Sequence, residues 1–150
     1  MFFRLERRPL ILISIFVFLL IISISVYYIA DNNLVRRVFF FPDMNSFSGE
    51  VRRVPRQASL EDDVELFVKE MILGPYSIEH FRIIPENTKL HALFLRNHSV
   101  LYIDFSSDLI VTESEFTIMP SNMMAMIRKN IKYNFPVLEE ITLSVDGQTL

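Results

Sequence analysis

From Leu10 to Ala30 no side chain is charged, and the run is mostly Ile, Leu, Phe, Val and Tyr, with Arg4, Arg7 and Arg8 just before it. A helix over this run would be roughly 30 Å long at about 1.5 Å per residue, which matches the hydrocarbon core of a bilayer. The pattern predicts a transmembrane helix over residues 10–30. A cleavable secretory signal has a shorter apolar region of roughly 7–15 residues and small residues at positions −1 and −3 of the cut. Ala30 fits the last position, but Tyr28 is too large for the other, so an uncleaved signal anchor is expected. Short basic flanks stay on the cytoplasmic side. Three Arg precede the run, and two, Arg36 and Arg37, follow it within reach, alongside Asp31. Residues 1–9 are therefore expected in the cytoplasm, 31–36 as a linker, and 37–150 as a domain held outside, in periplasm or at the cell surface. Tyr27 and Tyr28 suit the amphipathic interface belt.

Beyond the span the apolar period changes. Val35 to Phe41 is β-branched and aromatic and stops at Pro42, the stretch Met44 to Gly49 carries turn residues, and Glu50 to Val54 resumes an extended pattern, which together predict a hairpin. Ser59 then precedes Leu60, Val64, Phe67, Met71 and Ile72, an apolar stripe at helical spacing. A helix over about 60–73 follows, capped by Ser59 with Asp62 three residues on, charged favourably by Glu61, Asp62 and Asp63 in its first turn, and closed by Gly74-Pro75. Two extended runs, Thr88 to Arg96 and Ser99 to Ser106, flank the polar turn at Asn97 and His98. After an irregular stretch from Asp108 to Pro120, Ser121 or Asn122 is placed to cap a second helix with Met123, Met124, Ile127 and Ile131 on one side. Phe135-Pro136 ends it, and Ile141, Leu143 and Val145 alternate with polar residues up to Asp146-Gly147. The expected fold class is α+β: one transmembrane helix, then a single β-α-β-β-α-β domain with two helices on one face of an antiparallel or mixed sheet.

The turn length at Asn97 decides which residues of the second hairpin share a face. A two-residue turn puts odd positions of the first strand with even positions of the second. One face then gathers Leu90, Ala92, Phe94, Leu101, Ile103 and Phe105, and reads as core. The other gathers Lys89, His91, Leu93, Leu95, Val100, Tyr102 and Asp104. Four of these, Leu93, Leu95, Val100 and Tyr102, form a candidate partner surface, because a contiguous apolar patch on a sheet face meets either a partner or a covering segment. The covering alternative is the segment 109–120, and both readings stay open. A three-residue turn would break the assignment.

Removing Arg4, Glu6, Arg7 and Arg8 from the 15 basic and 18 acidic residues leaves 12 and 17 after the span, a formal charge of −5. That sign argues against nucleic acid or an anionic lipid surface as the main partner. With no Cys there is no disulfide, thiolate nucleophile or lipoprotein lipid site. About 120 residues suit one domain. No nucleophile elbow, phosphate-binding glycine loop or zinc-protease helix occurs. The best improvised catalytic group, His91 with Asp104 and Ser106 or Ser107, reads more simply as a cross-strand polar pair, because adjacent strands seldom aim a base at a hydroxyl beside an oxyanion hole. Asp104, Asp108 and the two serines lack the order of a calcium loop. His80 and His98 read as isolated and exposed. Met119, Met123, Met124 and Met126 read as core filler before binding surface. Neither cofactor nor metal is expected.

Several short motifs recur in a telling order: Phe40-Phe41-Pro42 followed by Arg52, Arg53 and Val54; Leu73-Gly74-Pro75; Ile84-Pro85 leading to Thr88-Lys89-Leu90; Tyr102-Ile103-Asp104-Phe105-Ser106; and Phe135-Pro136 leading to Ile141 and Val145-Asp146-Gly147. Over roughly 37–147 the chain thereby resembles the GerMN domain of sporulation and spore-germination proteins. It departs from that family at 110–116, where small residues are usual, and in the turn after Arg96, which lacks a Gly. The resemblance implies a domain held outside the cytoplasmic membrane by an anchor, no catalytic activity, and a role in protein assembly at the envelope, with other envelope proteins or further copies of the chain as partners. A domain that binds a small ligand or cell-wall fragment is the alternative, and it would need a pocket with convergent polar groups.

Overall fold

The computed structural model describes residues 7–31, 33–44, 46–111 and 120–149, in two compact units divided between Val35 and Arg36. The first unit is dominated by α1 (Arg7–Asp31), apolar on every side. Within it Pro9–Ile29, 21 residues of mean hydropathy 2.9, is long and apolar enough to cross a membrane. The hydroxyl of Ser25 donates to the Ile21 carbonyl at 2.9 Å, so the helix leaves that polar group satisfied within its own backbone.

Across this division runs β1 (Leu34–Pro42), which begins inside the stretch expected as linker, and the second unit continues with β2 (Phe47–Pro55). They pair as a two-stranded ribbon, and the short connection between them is one that only antiparallel strands can span. Next come α2 (Leu60–Leu73), β3 (Leu90–Arg96), β4 (Val100–Phe105), a single helical turn α3 (Asp108–Val111), α4 (Pro120–Asn134), β5 (Glu140–Val145) and β6 (Gln148–Thr149). β3 to β6 form one mixed sheet in that order, antiparallel at β3/β4 and β5/β6 and parallel at β4/β5. The α+β class holds, and the opening strand lies in its own ribbon outside the sheet.

The reason lies on α4. Asn130 and Asn134 stand one turn apart, and each turns its side-chain amide on the free edge of β1. Asn130 Oδ1 accepts from the Phe40 N–H at 2.7 Å while its Nδ2 donates to the Phe40 carbonyl at 3.0 Å. Asn134 does the same to Val38, at 2.9 and 2.6 Å. Two asparagines thus take the bonds a neighbouring strand would have made, which closes an edge that is otherwise a template for pairing. Asn130 is itself buried. Changing Asn130 to Ala strands both polar groups of Phe40, and a loss of about 1–3 kcal/mol in urea denaturation is expected. Unchanged stability would show that water replaces the amide.

α2 starts and stops where its sequence signals say. Ser59 Oγ accepts from the Asp62 N–H at 3.1 Å, and at the far end Gly74 takes φ +86°. A Cβ there would also stand 2.8 Å from the flexible Arg82 guanidinium, which donates to the Ile72 carbonyl, but it is the positive φ that calls for glycine. Val64, Phe67, Val68 and Met71 face inward. Phe67 stacks on Phe39 at 4.4 Å between centroids and meets the edge of Phe135 at 5.5 Å, which joins ribbon, helix and chain turn in one core. α4 begins with proline at its first position and buries Met123, Met124, Ile127 and Ile131. The stretch expected as irregular from Asp108 starts as α3, whose Leu109 is buried, and 112–119, with Met119, lie outside the described residues.

Candidate interaction surfaces

The turn between β3 and β4 has three residues, Asn97, His98 and Ser99, because Arg96 pairs with Val100. Asn97 and His98 both take positive φ, 52° and 60°, a twist suited to a tight hairpin. Even positions of β3 therefore face even positions of β4, and the expected faces are wrong on one strand. Leu93 pairs with Ile103 and Leu95 with Leu101, so these two members of the candidate partner surface pack against the core. Phe94 and Ala92, expected in the core, face outward instead. Leu90 keeps its inward place because a bulge at His91 shifts the register between Leu90 and Ala92.

The outer face of the sheet is consequently different from the expected one. Phe94, 52% exposed, stacks on Tyr102 at 4.8 Å and 13°, with Val100 beside them and Thr142 and Ser144 on β5 next to Tyr102 and Asp104. Of the four candidates, Val100 and Tyr102 remain on this face. At its end the bulged His91 holds Nδ1 3.4 Å from Asp146 and 3.8 Å from Asp104. Asp104 accepts from the Ser144 hydroxyl at 2.6 Å and the Gly147 N–H at 2.9 Å. Those two bonds, with His91 adding to them against a smaller effect of burial, hold its carboxyl below the usual range.

Ser106 does not join this group. Its hydroxyl accepts from the Lys89 N–H and donates to Asp108, both at 3.0 Å, so it fastens the start of β3 to the turn before α3. Asp104 and Asp108 thus serve different hydrogen bonds, and among the described residues no cluster of three metal-ligating side chains occurs. His80 differs from expectation. It is largely buried, lies against Phe41, and holds Nδ1 3.6 Å from Glu50.

A second surface lies where the ribbon meets α4. Phe40, Phe47, Ala125, Met126, Lys129 and Asn130 line a cleft of about 120 Å³. Lys129 places its ammonium 5.5 Å from the Phe40 ring and 5.7 Å from the Phe47 ring, and Tyr133 meets Phe40 edge-on at 4.9 Å. Only the spacing of Ala125, Lys129 and Tyr133 along one helix stripe, opposite the stripe of core residues, signals it in the sequence.

The family model described as sporulation and spore germination, Germane, matches residues 25–150. The chain belongs to this sporulation and spore germination family. Its fold is shared with the tandem GerMN domains of the sporulation protein GerM from Bacillus subtilis, at 14% identity and a TM-score of 0.53 over 78% of this chain. The chain spans 41% of that tandem structure. A Clostridium perfringens chain classed as a lipoprotein is 20% identical, with a TM-score of 0.49 over 77% of both chains. No curated protein matches. The GerMN likeness agrees with the motif order from Phe40-Phe41-Pro42 to Asp146-Gly147.

Proposed function

We propose that the chain is a non-enzymatic, single-pass envelope protein of the sporulation and germination family whose domain, residues 37–150, stands outside the cytoplasmic membrane and works by binding other proteins. The outer sheet face carries this reading. An aromatic pair, Phe94 on Tyr102, sits on a face that α2 and α4 leave uncovered, since both helices pack on the opposite side. Aromatic side chains supply large contact area for little conformational entropy and are enriched where interfaces carry most of their energy. The polar groups around them, Asp104 and Ser144, are bonded to one another, so the face offers a rim more than a reaction site. The basic flank at Arg4, Arg7 and Arg8 supports the orientation.

One experiment tests both halves. Intact spheroplasts carrying the tagged full chain are treated with a membrane-impermeant amine crosslinker and then solubilised. A crosslinked species that joins this chain to a different protein is expected with the natural chain and absent with Phe94→Ser and Tyr102→Ser combined. Labelling that appears only after lysis would reverse the orientation, and a species joined to a different protein that survives the double change would remove this face from the function.

A further inference from the structure

The cleft between the ribbon and α4 has the chemistry of a socket for one aliphatic side chain beside one carboxylate. An engineered apolar cavity of about 150 Å³ accepts a benzene molecule, so a cleft of about 120 Å³ accommodates a branched aliphatic group. Its walls are Phe40, Phe47 and Ala125, Met126 gives it an adaptable side, and Lys129 sets a cation at its mouth over two ring faces.

The matching knob is on the same molecule. Ile78 is 101% exposed, the most exposed large apolar side chain among the described residues, and the next residue, Glu79, is exposed as well. The loop that presents them is pinned on both sides. The Tyr76 N–H donates to the Glu50 carboxylate at 3.1 Å and its ring lies 3.8 Å from the Arg52 guanidinium, while the Phe81 N–H donates to the Pro42 carbonyl at 2.8 Å. Between these anchors the Glu79 N–H meets Ser77 Oγ and the His80 N–H meets the Ser77 carbonyl, both at 3.3 Å. A knob held in this way gives up little freedom on docking, which is the part of association that usually offsets buried area.

We infer that the occupant of the cleft is a second copy of this chain, which inserts Ile78 between Phe40, Phe47 and Met126 and sets Glu79 against Lys129. This partner goes beyond the outer sheet face and rests on two premises of the proposed function, that the domain acts by association and that the chain is anchored in a membrane. Two copies anchored in one membrane meet at high effective concentration, so a contact of this modest size suffices.

The natural chain has no cysteine, which makes introduced thiols unambiguous. Two differently tagged full-length versions are co-expressed, one with Ser77→Cys beside the knob and one with Asn122→Cys, a turn before Met126 on α4. Isolated membranes are then treated with a short bismaleimide. A mixed-tag dimer is the expected product. Ile78→Asp in the first version, or Lys129→Glu in the second, should lower its yield about tenfold or more, equivalent to about 1.4 kcal/mol of contact. Glu79→Lys in the first version together with Lys129→Glu in the second should restore part of it. Phe94→Ser with Tyr102→Ser should leave the product intact, so failure of the outer-face function is read separately. Absence of the mixed dimer, or a yield indifferent to Ile78→Asp, would overturn the inference. Both side chains are exposed, so neither change endangers the fold.

Discussion

Arg52→Ala is expected to lower the unfolding free energy by about 3–5 kcal/mol, because it removes one partner from a buried charge cluster and leaves the rest. The Arg52 side chain is 2% exposed. Its Nε donates to Glu50 at 2.7 Å, and one terminal nitrogen reaches both the Glu70 carboxylate, at 3.3 Å, and the Glu70 carbonyl, at 3.2 Å. The other donates to the Gly74 carbonyl at 2.6 Å. The guanidinium thus caps the C-terminal carbonyls of α2, where positive charge suits the helix dipole, and its face lies 4.7 Å from Phe39 and 5.5 Å from Phe41. Lysine cannot reproduce the planar fork, so Arg52→Lys should recover only part of the loss. Urea denaturation of the full chain in detergent measures both variants, and an Arg52→Ala cost below about 1 kcal/mol would mean that the cluster holds little of the fold together.

The same change should alter the acid limb. Burial alone pushes the Glu50 carboxyl up, and the bond from Arg52, the Tyr76 N–H and the charge of Arg52 outweigh it, leaving the carboxyl below its ordinary value. A carboxylate whose folded pKa is depressed contributes stability that is complete above its unfolded pKa of about 4.3 and disappears as pH falls through the folded one. The gap between natural chain and Arg52→Ala should therefore narrow below about pH 4. A constant gap down to acid unfolding would show that Glu50 is not the carboxylate that Arg52 holds ionised.

Arg52 was visible in the sequence only as part of a short motif, and nothing in strand alternation distinguishes a buried arginine from an exposed one. What was legible followed from local rules. Leu60, Val64, Phe67 and Met71 are spaced for a helix, Ser59 and Gly74 sit at its ends, and α2 runs over the residues that this pattern marks. The apolar run after Arg8 is likewise helix. What was hidden depended on partners distant in the chain. Asn130 and Asn134 carry no signal in the local pattern, yet they bond to Phe40 and Val38, 90 and 96 residues earlier, and this settles that β1 stays out of the main sheet. His80 read as isolated because Phe41 and Glu50, its neighbours in space, lie far from it in sequence.

The outer face was misread for a different reason: one residue in a turn reverses every side chain on a strand. Phe94 and Phe105 therefore provide a direct test, since alternation with a two-residue turn makes both core residues and the three-residue turn separates them. Phe105 is fully buried beneath the sheet, and Phe105→Ala should cost about 3–5 kcal/mol. Phe94 is 52% exposed and touches chiefly the Tyr102 ring, so Phe94→Ala should cost about 1 kcal/mol or less, the value of an aromatic pair at the surface. Leu95→Ala should fall between them, because the Leu95 side chain is only partly buried against the core. Denaturant midpoints of the three variants, compared at equal m-value, decide the register. Equal losses for Phe94→Ala and Phe105→Ala, with Leu95→Ala neutral, would restore the two-residue turn and return Leu93 and Leu95 to the partner face in place of Phe94.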